Sequence, residues 1–282
     1  MIFQDLSRRL ILSLASLVVI ILTLTFSNIF FVKWIIALLV ATLGAIGIWE
    51  YGMLTKIKKG YINLLITIGI GIILSFFSTT FTSNLIQLPI VIFFIGVILI
   101  FAYHFNKITD ASSSIAKGFF SICYVALPLA LLLKILYLTS PSGHGEAGNL
   151  WVLYLLIVTK MTDIGAYFGG RLLGKQKLAI DISPGKTVVG SVIGFISAIV
   201  FSVAFHVVSL FVSTYHLTFV QSLWLGAILG CLGQFGDLSE SLLKRDADVK
   251  DSNRLPGLGG ILDMLDSLLF TIPVIFLFLF FG

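Results

Sequence analysis

The sequence predicts an all-α, polytopic integral membrane protein with about nine transmembrane helices and a cytoplasmic N-terminus. Three observations support this fold class: a hydrophobic content of 58%, a charged content of only 11%, and long apolar stretches along all 282 residues. Soluble domains carry about 25% charged residues, so an ordinary soluble fold is excluded. Spans of about 20 residues leave only short connections, so no separate soluble domain fits beside them.

The predicted spans follow one another with short polar connections. Lipid offers the backbone of each apolar run no hydrogen-bond partner, so each is predicted to be helical. The basic start at Arg8 and Arg9 is typical of a cleaved signal peptide, but no small-residue cleavage site follows at 26–28, and a retained helix is predicted. The spans are residues 10–28, 30–50, 61–77, 88–105, 116–138, 150–170, 187–212, 219–241 and 263–281.

The basic residues alternate along the chain in a way that predicts its orientation. With the N-terminus inside, 15 of the 18 lysines and arginines fall in cytoplasmic segments, whereas the outer loops 78–84, 140–149 and 213–216 contain none. Cytoplasmic loops of membrane proteins carry such an excess. The 15 residues are Arg8, Arg9, Lys56, Lys58, Lys59, Lys107, Lys117, Arg171, Lys175, Lys177, Lys186, Lys244, Arg245, Lys250 and Arg254.

This orientation predicts a protein of the inner (cytoplasmic) membrane whose active site faces the cytoplasm. The net charge of +5 is interpreted as contact with the lipid bilayer, not with nucleic acid. Residues 1–282 are predicted to form a single membrane domain. Its N-terminal five-helix part spans 1–148, and its C-terminal four-helix part, 149–282, carries the polar motifs.

Six acidic residues lie inside or at the ends of predicted spans. A charge near the bilayer centre costs about 2.5–3.5 kcal/mol, so each is a candidate functional residue. Glu50 is expected to pair with Lys56 or to reach interfacial water, and Asp163 can pair with Lys160 at i,i+3. The orientation places all six toward the cytoplasm: Glu50, Asp163, Asp237, Glu240, Asp263 and Asp266.

Two predicted helix faces carry most of these acids. Asp263 and Asp266 share one face. The other face has the spacing i, i+3, i+4 and i+7 and is formed by Asp237, Glu240, Ser241 and Lys244. Mg²⁺ takes one or two carboxylates plus substrate phosphates, and basic neighbours suit phosphate oxygens. The pattern indicates phosphoryl chemistry at a membrane surface, with a structural ion-pair network as the alternative.

A glycine-rich cytoplasmic segment follows Asp163 and ends where the next helix is predicted. Gly-rich turns let backbone N–H groups approach an anion, and a helix N-terminus adds positive potential. A P-loop is excluded because its first glycine would fall at Ile180 and no strand is predicted before it. The alternative is a plain turn with capping residues. The polar and glycine positions include Gly170, Arg171, Gly174, Lys175, Ser183, Gly185, Lys186, Thr187 and Gly190.

Three glycine pairs have the i,i+4 spacing that lets membrane helices approach closely. They are predicted to pack helices either within one chain or across a homodimer, and the sequence leaves both open. The pairs are Gly165/Gly169, Gly190/Gly194 and Gly226/Gly230.

Two ordered groups of residues match the motifs of one known family. The first reads Asp-x-Gly-Ala-Tyr-x-x-Gly-Arg-x-x-Gly-Lys from Asp163, followed by Ser-Pro-Gly-Lys-Thr from Ser183. The second contains Gly236, Asp237, Glu240, Ser241, Lys244, Arg245, Lys250, Asp251, Pro256, Gly257, Gly259, Gly260, Asp263 and Asp266. With these motifs the chain resembles the CTP:phosphatidate cytidylyltransferases (CDP-diacylglycerol synthases).

The resemblance implies that CTP and phosphatidate react to CDP-diacylglycerol and pyrophosphate. It implies Mg²⁺ as cofactor, with a monovalent cation as a further candidate. The implied catalytic residues are Asp237, Lys244, Arg245 and Asp263, and the implied metal ligands are Asp237, Asp263 and, in support, Asp266. The implied substrate-binding residues are Asp163, Arg171, Lys175, Ser183, Lys186, Ser241, Lys250 and Asp251.

The chain departs from the family pattern at several positions. Leu258 replaces the family histidine, Met264 replaces the arginine after the aspartate, and Val189 stands where an acid is usual. The loop between Asp251 and Pro256 is one residue short. A catalytically altered relative is therefore one alternative function.

Two other function classes fit the residues less well. A transporter or channel would need charges along a path to both faces, whereas the outer half holds chiefly Lys33, Lys134 and Glu146. The CDP-alcohol phosphotransferases have Asp-Gly, Ala-Arg and aspartates four residues apart. Asp263 and Asp266 are three apart and no Ala-Arg accompanies them, so that family is excluded.

Overall fold

Eight long helices and one β-hairpin build the part of the chain that the computed structural model describes, which is residues 20–81, 85–106, 109–138, 147–249 and 260–281. Residues 20–25 are also helical. The strands are β1 Lys177–Ala179 and β2 Ser183–Thr187. The helices are α1 Phe30–Leu54, α2 Lys59–Ser78, α3 Leu88–His104, α4 Ala111–Leu136, α5 Gly148–Leu173, α6 Val188–Ser209, α7 Phe219–Asp246 and α8 Ile261–Phe281.

The helices confirm the predicted fold class. Seven of those in the described ranges are long and apolar enough to cross a membrane, and α3 is a shorter apolar helix. The first predicted span, 10–28, lies mostly outside the described residues. Residues 250–259 of the last predicted cytoplasmic loop also lie outside the described residues.

One hydrophobic core joins the N-terminal and C-terminal helices. Its buried members come from all eight helices and include Ile36, Leu65, Ile100, Leu129, Trp151, Ala198, Leu225 and Leu269. The closest helix pairs are α5 with α6, α6 with α7, α7 with α8, and α1 with α2. Helix α8 also packs against α4 and α1, so it lies between the two parts of the chain.

Glycine permits the close approach of α5 and α6. A Cβ at Gly190 would lie 2.6 Å from the Ala166 carbonyl oxygen, and one at Gly194 would lie 2.8 Å from that of Thr162. Real Cβ atoms do not approach backbone so closely, so a larger residue at either position would push the helices apart. These glycines therefore serve packing within the chain, and they supply no argument for a homodimer.

Local capping explains where two of these helices begin. The Thr187 side chain accepts a hydrogen bond from the Gly190 N–H at 3.1 Å and starts α6. Thr218 and Gln221 form a reciprocal capping box at the start of α7. The alternative interpretation of the Gly-Lys-Thr segment, a turn with capping residues, is confirmed for Thr187.

The hairpin between α5 and α6 was not predicted. Its antiparallel strands pair Lys177 with Thr187 and Ala179 with Ser183. The expectation that no strand precedes the Gly-Lys-Thr triplet is therefore wrong. A weak signal was present, because Leu178, Ile180 and Ile182 alternate with other residues at the period of a strand.

Candidate active site

A cavity of about 630 Å³ lies where the hairpin meets α5, α6 and α7. Five residues predicted to contact substrate or metal line it: Asp163, Arg171, Ser183, Lys186 and Asp237. Further lining residues were not predicted as site residues, and they include Tyr167, Lys177, Thr187, Ser191 and Gln234. The cavity is large enough for a small-molecule ligand and combines both signs of charge with an aromatic ring.

An ion pair between strand β2 and helix α7 crosses the cavity. The Lys186 Nζ lies 2.8 Å from an Asp237 carboxylate oxygen, and both side chains keep part of their surface exposed, 23% and 37%. The hairpin therefore carries Lys186 across to α7. A bound phosphate would compete with Asp237 for this ammonium group.

Three helices each bring one carboxylate to the same place; we call Asp163, Asp237 and Asp266 the aspartate cluster. Helix α7 packs closely on α8 at this point, because a Cβ at Gly236, next to Asp237, would lie 2.5 Å from the Asp266 carbonyl oxygen. The Lys160 Nζ lies 3.6 Å from Asp163, as the i,i+3 spacing predicts, and the Ser267 hydroxyl donates to Asp163 at 3.4 Å. Carboxylates so placed repel one another unless a cation accompanies them.

A second charged group lies between α7 and α8. We call Glu240, Lys244 and Asp263 the lysine triad. The Lys244 Nζ donates to Asp263 at 2.6 Å and also pairs with Glu240, which is only 1% exposed. The Gly260 N–H donates to the other Asp263 oxygen at 2.8 Å. Lys244 is thus held between two carboxylates, and Asp263 is engaged by groups other than those around Asp237.

The remaining predicted residues take different places. Arg171 donates to the Tyr167 hydroxyl at 2.6 Å on the cavity wall. Arg245 donates to the Ile182 carbonyl at 3.1 Å and so ties the end of α7 to the hairpin. Lys175 is exposed in the connection before β1, and Ser241 is buried on α7. Lys250, Asp251 and the Pro-Gly-Leu-Gly stretch at 256–259 lie outside the described residues.

Gln234 and Ser191 form a hydrogen-bonded wall of the cavity. The Ser191 hydroxyl donates to the Gln234 side-chain oxygen at 2.5 Å, and the Gln234 amide nitrogen donates to the Ser191 and Gly230 carbonyls at 3.1 and 3.0 Å. Gln234 lies three residues before Asp237, on the same face of α7. That spacing was the sequence signal that could have found it.

Glu50 takes a place that the sequence analysis did not predict. Its carboxylate is fully buried and accepts hydrogen bonds from the backbone N–H groups of Ile261 and Leu262, at 3.1 and 2.7 Å. The expectation that Glu50 reaches interfacial water is therefore wrong. Instead it reaches the start of α8, which leads into both charged groups.

The donor atoms around the cavity suit a hard cation. Within the described ranges, no three or more His, Cys, Asp or Glu residues are arranged to hold a metal ion by themselves. Mg²⁺ is usually bound by one or two carboxylates together with substrate phosphates and water, so a partial set of protein ligands fits its chemistry. The assignment of Asp237, Asp263 and Asp266 as metal ligands stays a prediction.

Comparison with known proteins places the chain in one family. The sequence model of the Cytidylyltransferase family matches residues 9–281. A phosphatidate cytidylyltransferase of Chlamydia pneumoniae is 34% identical over 98% of this chain and 92% of its own length. That of Chlamydia trachomatis serovar D is 32% identical over 98% and 93%. That of Bacillus subtilis is 44% identical over 48% and 49%. The chain belongs to the cytidylyltransferase family.

Proposed function

We propose that this chain is a phosphatidate cytidylyltransferase, which makes CDP-diacylglycerol from CTP and phosphatidate. The cavity carries the proposal, because it gathers Arg171, Lys186 and Asp237 from three elements beside apolar membrane helices. Relatives that match nearly the whole chain bear this name. A nucleotide and a lipid phosphate are both anions, and these residues suit holding two anions together at a membrane.

The proposed reaction is an attack of one phosphate on another. A phosphatidate phosphate oxygen bonds to the α-phosphorus of CTP, and the bond from that phosphorus to the β-phosphate oxygen breaks, so pyrophosphate leaves with its electron pair. No general base is needed because the lipid phosphate is already anionic at pH 7. The task of the protein is therefore to position both anions and to stabilise the charge that develops on the leaving group.

Arg171 and Lys186 are the proposed phosphate ligands. The guanidinium of Arg171 can donate two parallel hydrogen bonds to one phosphate, whereas the ammonium of Lys186 acts as a point charge. Lys186 is paired with Asp237, so a phosphate at Lys186 would lie next to that carboxylate. Such an arrangement suits a metal ion shared between the protein and the nucleotide.

Asp237 and Asp266 are the residues we propose for Mg²⁺. When bound, this ion supplies positive charge to the phosphate oxygens and the leaving pyrophosphate. Asp263 was predicted as a ligand as well, but its engagement by Lys244 and Gly260 favours a supporting function. By the same reasoning we assign Lys244 to holding α7 against α8, and not to binding a phosphate. A monovalent cation remains a prediction.

The proposed site faces the cytoplasm of the inner membrane. This orientation depends on the alternation of basic residues along the chain, which puts the hairpin and the end of α7 on the positive side. CTP in the cytoplasm and phosphatidate in the inner leaflet would both reach the cavity from that side.

The test is the transfer of label from CTP into lipid by the purified full-length protein. We expect a CDP-diacylglycerol product that requires both phosphatidate and Mg²⁺. No lipid product with phosphatidate present would contradict the proposal and would favour a catalytically altered relative. Loss of activity in D237N with retention in D181N, an equal change on the exposed tip of the hairpin, would assign the activity to this cavity.

A further inference from the structure

The fully buried carboxylate of Glu50 makes a contact between the two parts of the chain. Its Oε1 accepts from the Ile261 N–H at 3.1 Å, and its Oε2 accepts from the Leu262 N–H at 2.7 Å. Glu50 lies near the end of α1, whereas Ile261 and Leu262 are the first two residues of α8. One carboxylate therefore spans 211 and 212 positions of sequence.

This contact supplies acceptors for two N–H groups at the start of a helix. The first four N–H groups of an α-helix have no acceptor within the helix. A carboxylate at that end is also stabilised by the helix dipole, and its hydrogen bonds are stronger than neutral ones. Because each oxygen takes a different N–H group, Glu50 fixes both the position and the rotation of the first turn of α8.

The first two turns of α8 carry residues of both charged groups. Asp263 directly follows Leu262 and pairs with Lys244 of α7, and Asp266 lies one turn further in the aspartate cluster. A shift or rotation at Leu262 would therefore move both carboxylates relative to α5 and α7. On the same helix the Ser267 hydroxyl donates to the cavity residue Asp163 at 3.4 Å, so the start of α8 also contacts the cavity wall.

We propose that Glu50 is a positioning residue of the active site. It acts through the backbone of α8, which sets the places of Asp263 and Asp266, and it touches no substrate itself. The N-terminal part of the chain thereby contributes to the reaction performed by the C-terminal part. This inference rests on the proposed function only for its kinetic consequence; the anchoring of α8 can be tested without any activity.

A matched control separates positioning from general stability. Ile48 lies two residues before Glu50, is fully buried, and packs with its Cδ1 on Gly69 of α2. I48V thus weakens α1 packing through a helix that carries none of the site residues. E50Q keeps the size of the side chain but turns one of its two acceptors into a donor. E50D keeps the charge and withdraws it by one methylene, so it serves if E50Q fails to fold.

The first measurement is hydrogen exchange of the amides at the start of α8, in full-length protein without substrate. We expect the segment 260–268 to exchange faster in E50Q or E50D than in wild type, and I48V to leave it unchanged. The capped start of α7, at Gln221, should stay protected in every variant. Equal protection of 260–268 in wild type and the Glu50 variants would overturn the anchoring.

The second measurement is turnover against Mg²⁺ concentration. We expect the Glu50 variant to lose about 10- to 100-fold in activity or apparent Mg²⁺ affinity, as other supporting groups of metal sites do, while I48V stays near wild type. Activity in the Glu50 variant equal to that of I48V would overturn the positioning function. An inactive wild type would instead contradict the proposed function and leave the exchange experiment to decide on Glu50.

Discussion

The aspartate cluster and the lysine triad both meet the first turns of α8, but they differ in burial and in access to the cavity. In the triad one ammonium is enclosed by two carboxylates, and Glu240 is almost fully buried. In the cluster three carboxylates face two lysines, Lys160 and Lys186, and the Lys186–Asp237 pair opens to the cavity. Each group has one carboxylate more than it has ammonium groups, but of the two only the cluster borders the cavity, so we propose that the cluster accepts a further cation and a phosphate and that the triad is a structural contact.

The largest effect on turnover is expected from D237N. The change removes a charge from the open cluster and leaves the triad intact, so we expect a fall of at least ~100-fold, the size seen when preorganised electrostatic stabilisation is lost. Labelled-CTP incorporation measures it, with D181N as the control for an equal change nearby. A D237N protein that retains near-normal Mg²⁺-dependent turnover would mean that the cluster does not hold the metal.

K244M tests the triad. It leaves Glu240 and Asp263 facing each other without their cation, and breaking such a buried contact costs about 3–5 kcal/mol of folding free energy. We therefore expect a large drop in thermal stability, and we expect the double variant K244M/E240Q to recover part of it. If K244M folds as stably as wild type but binds CTP poorly, Lys244 is a phosphate ligand and the contrast between the two groups fails.

K186M tests the open cluster from its cationic side. A hydrogen bond to a charged group contributes about 1.5–3 kcal/mol, which corresponds to roughly 10- to 150-fold in affinity. We expect the KM for CTP to rise by about that factor, with little change in thermal stability. K56M, an exposed lysine in the connection after α1, is the control. An unchanged KM in K186M would place the triphosphate elsewhere.

K160M should have the smallest effect. Lys160 is 46% exposed, and its ammonium lies 3.6 Å from Asp163. It also donates to the Met264 carbonyl at 3.3 Å. Exposed ion pairs contribute about 0–1 kcal/mol, so we expect at most a ~5-fold change in turnover and a small change in stability. A loss as large as that of D237N would make Lys160 an essential cation of the cluster.

The sequence predicted the scaffold and much of the cavity because those signals are local. Apolar runs of helical length predict membrane spans, and residues such as Asp163, Lys186 and Asp237 belong to ordered motifs. The division of the acids into two groups could not be predicted. Asp263 and Asp266 share a helix face by spacing, yet the Lys244 side chain and the Gly260 N–H hold Asp263, whereas Asp266 lies where α8 packs against Gly236 of α7.

The function of Glu50 was missed for a different reason. Its partners are backbone N–H groups more than 200 residues away, and a backbone donor has no side-chain identity to read from sequence. Lys56 lies nearby in the sequence and could pair with Glu50. The sequence therefore favoured the expectation that Glu50 lies at the membrane interface. A distant helix N-terminus is thus a candidate partner for a buried acid, and only tertiary structure can identify it.

The assignment of the cavity as the reaction site is tested most directly by an experimental structure of the full-length protein with CTP and Mg²⁺, without phosphatidate. We expect the triphosphate to lie against Arg171 and Lys186, with the metal at Asp237 and Asp266, and the Lys244–Asp263 pair to remain intact. A nucleotide bound through Lys244, or one bound outside the cavity, would contradict the assignment.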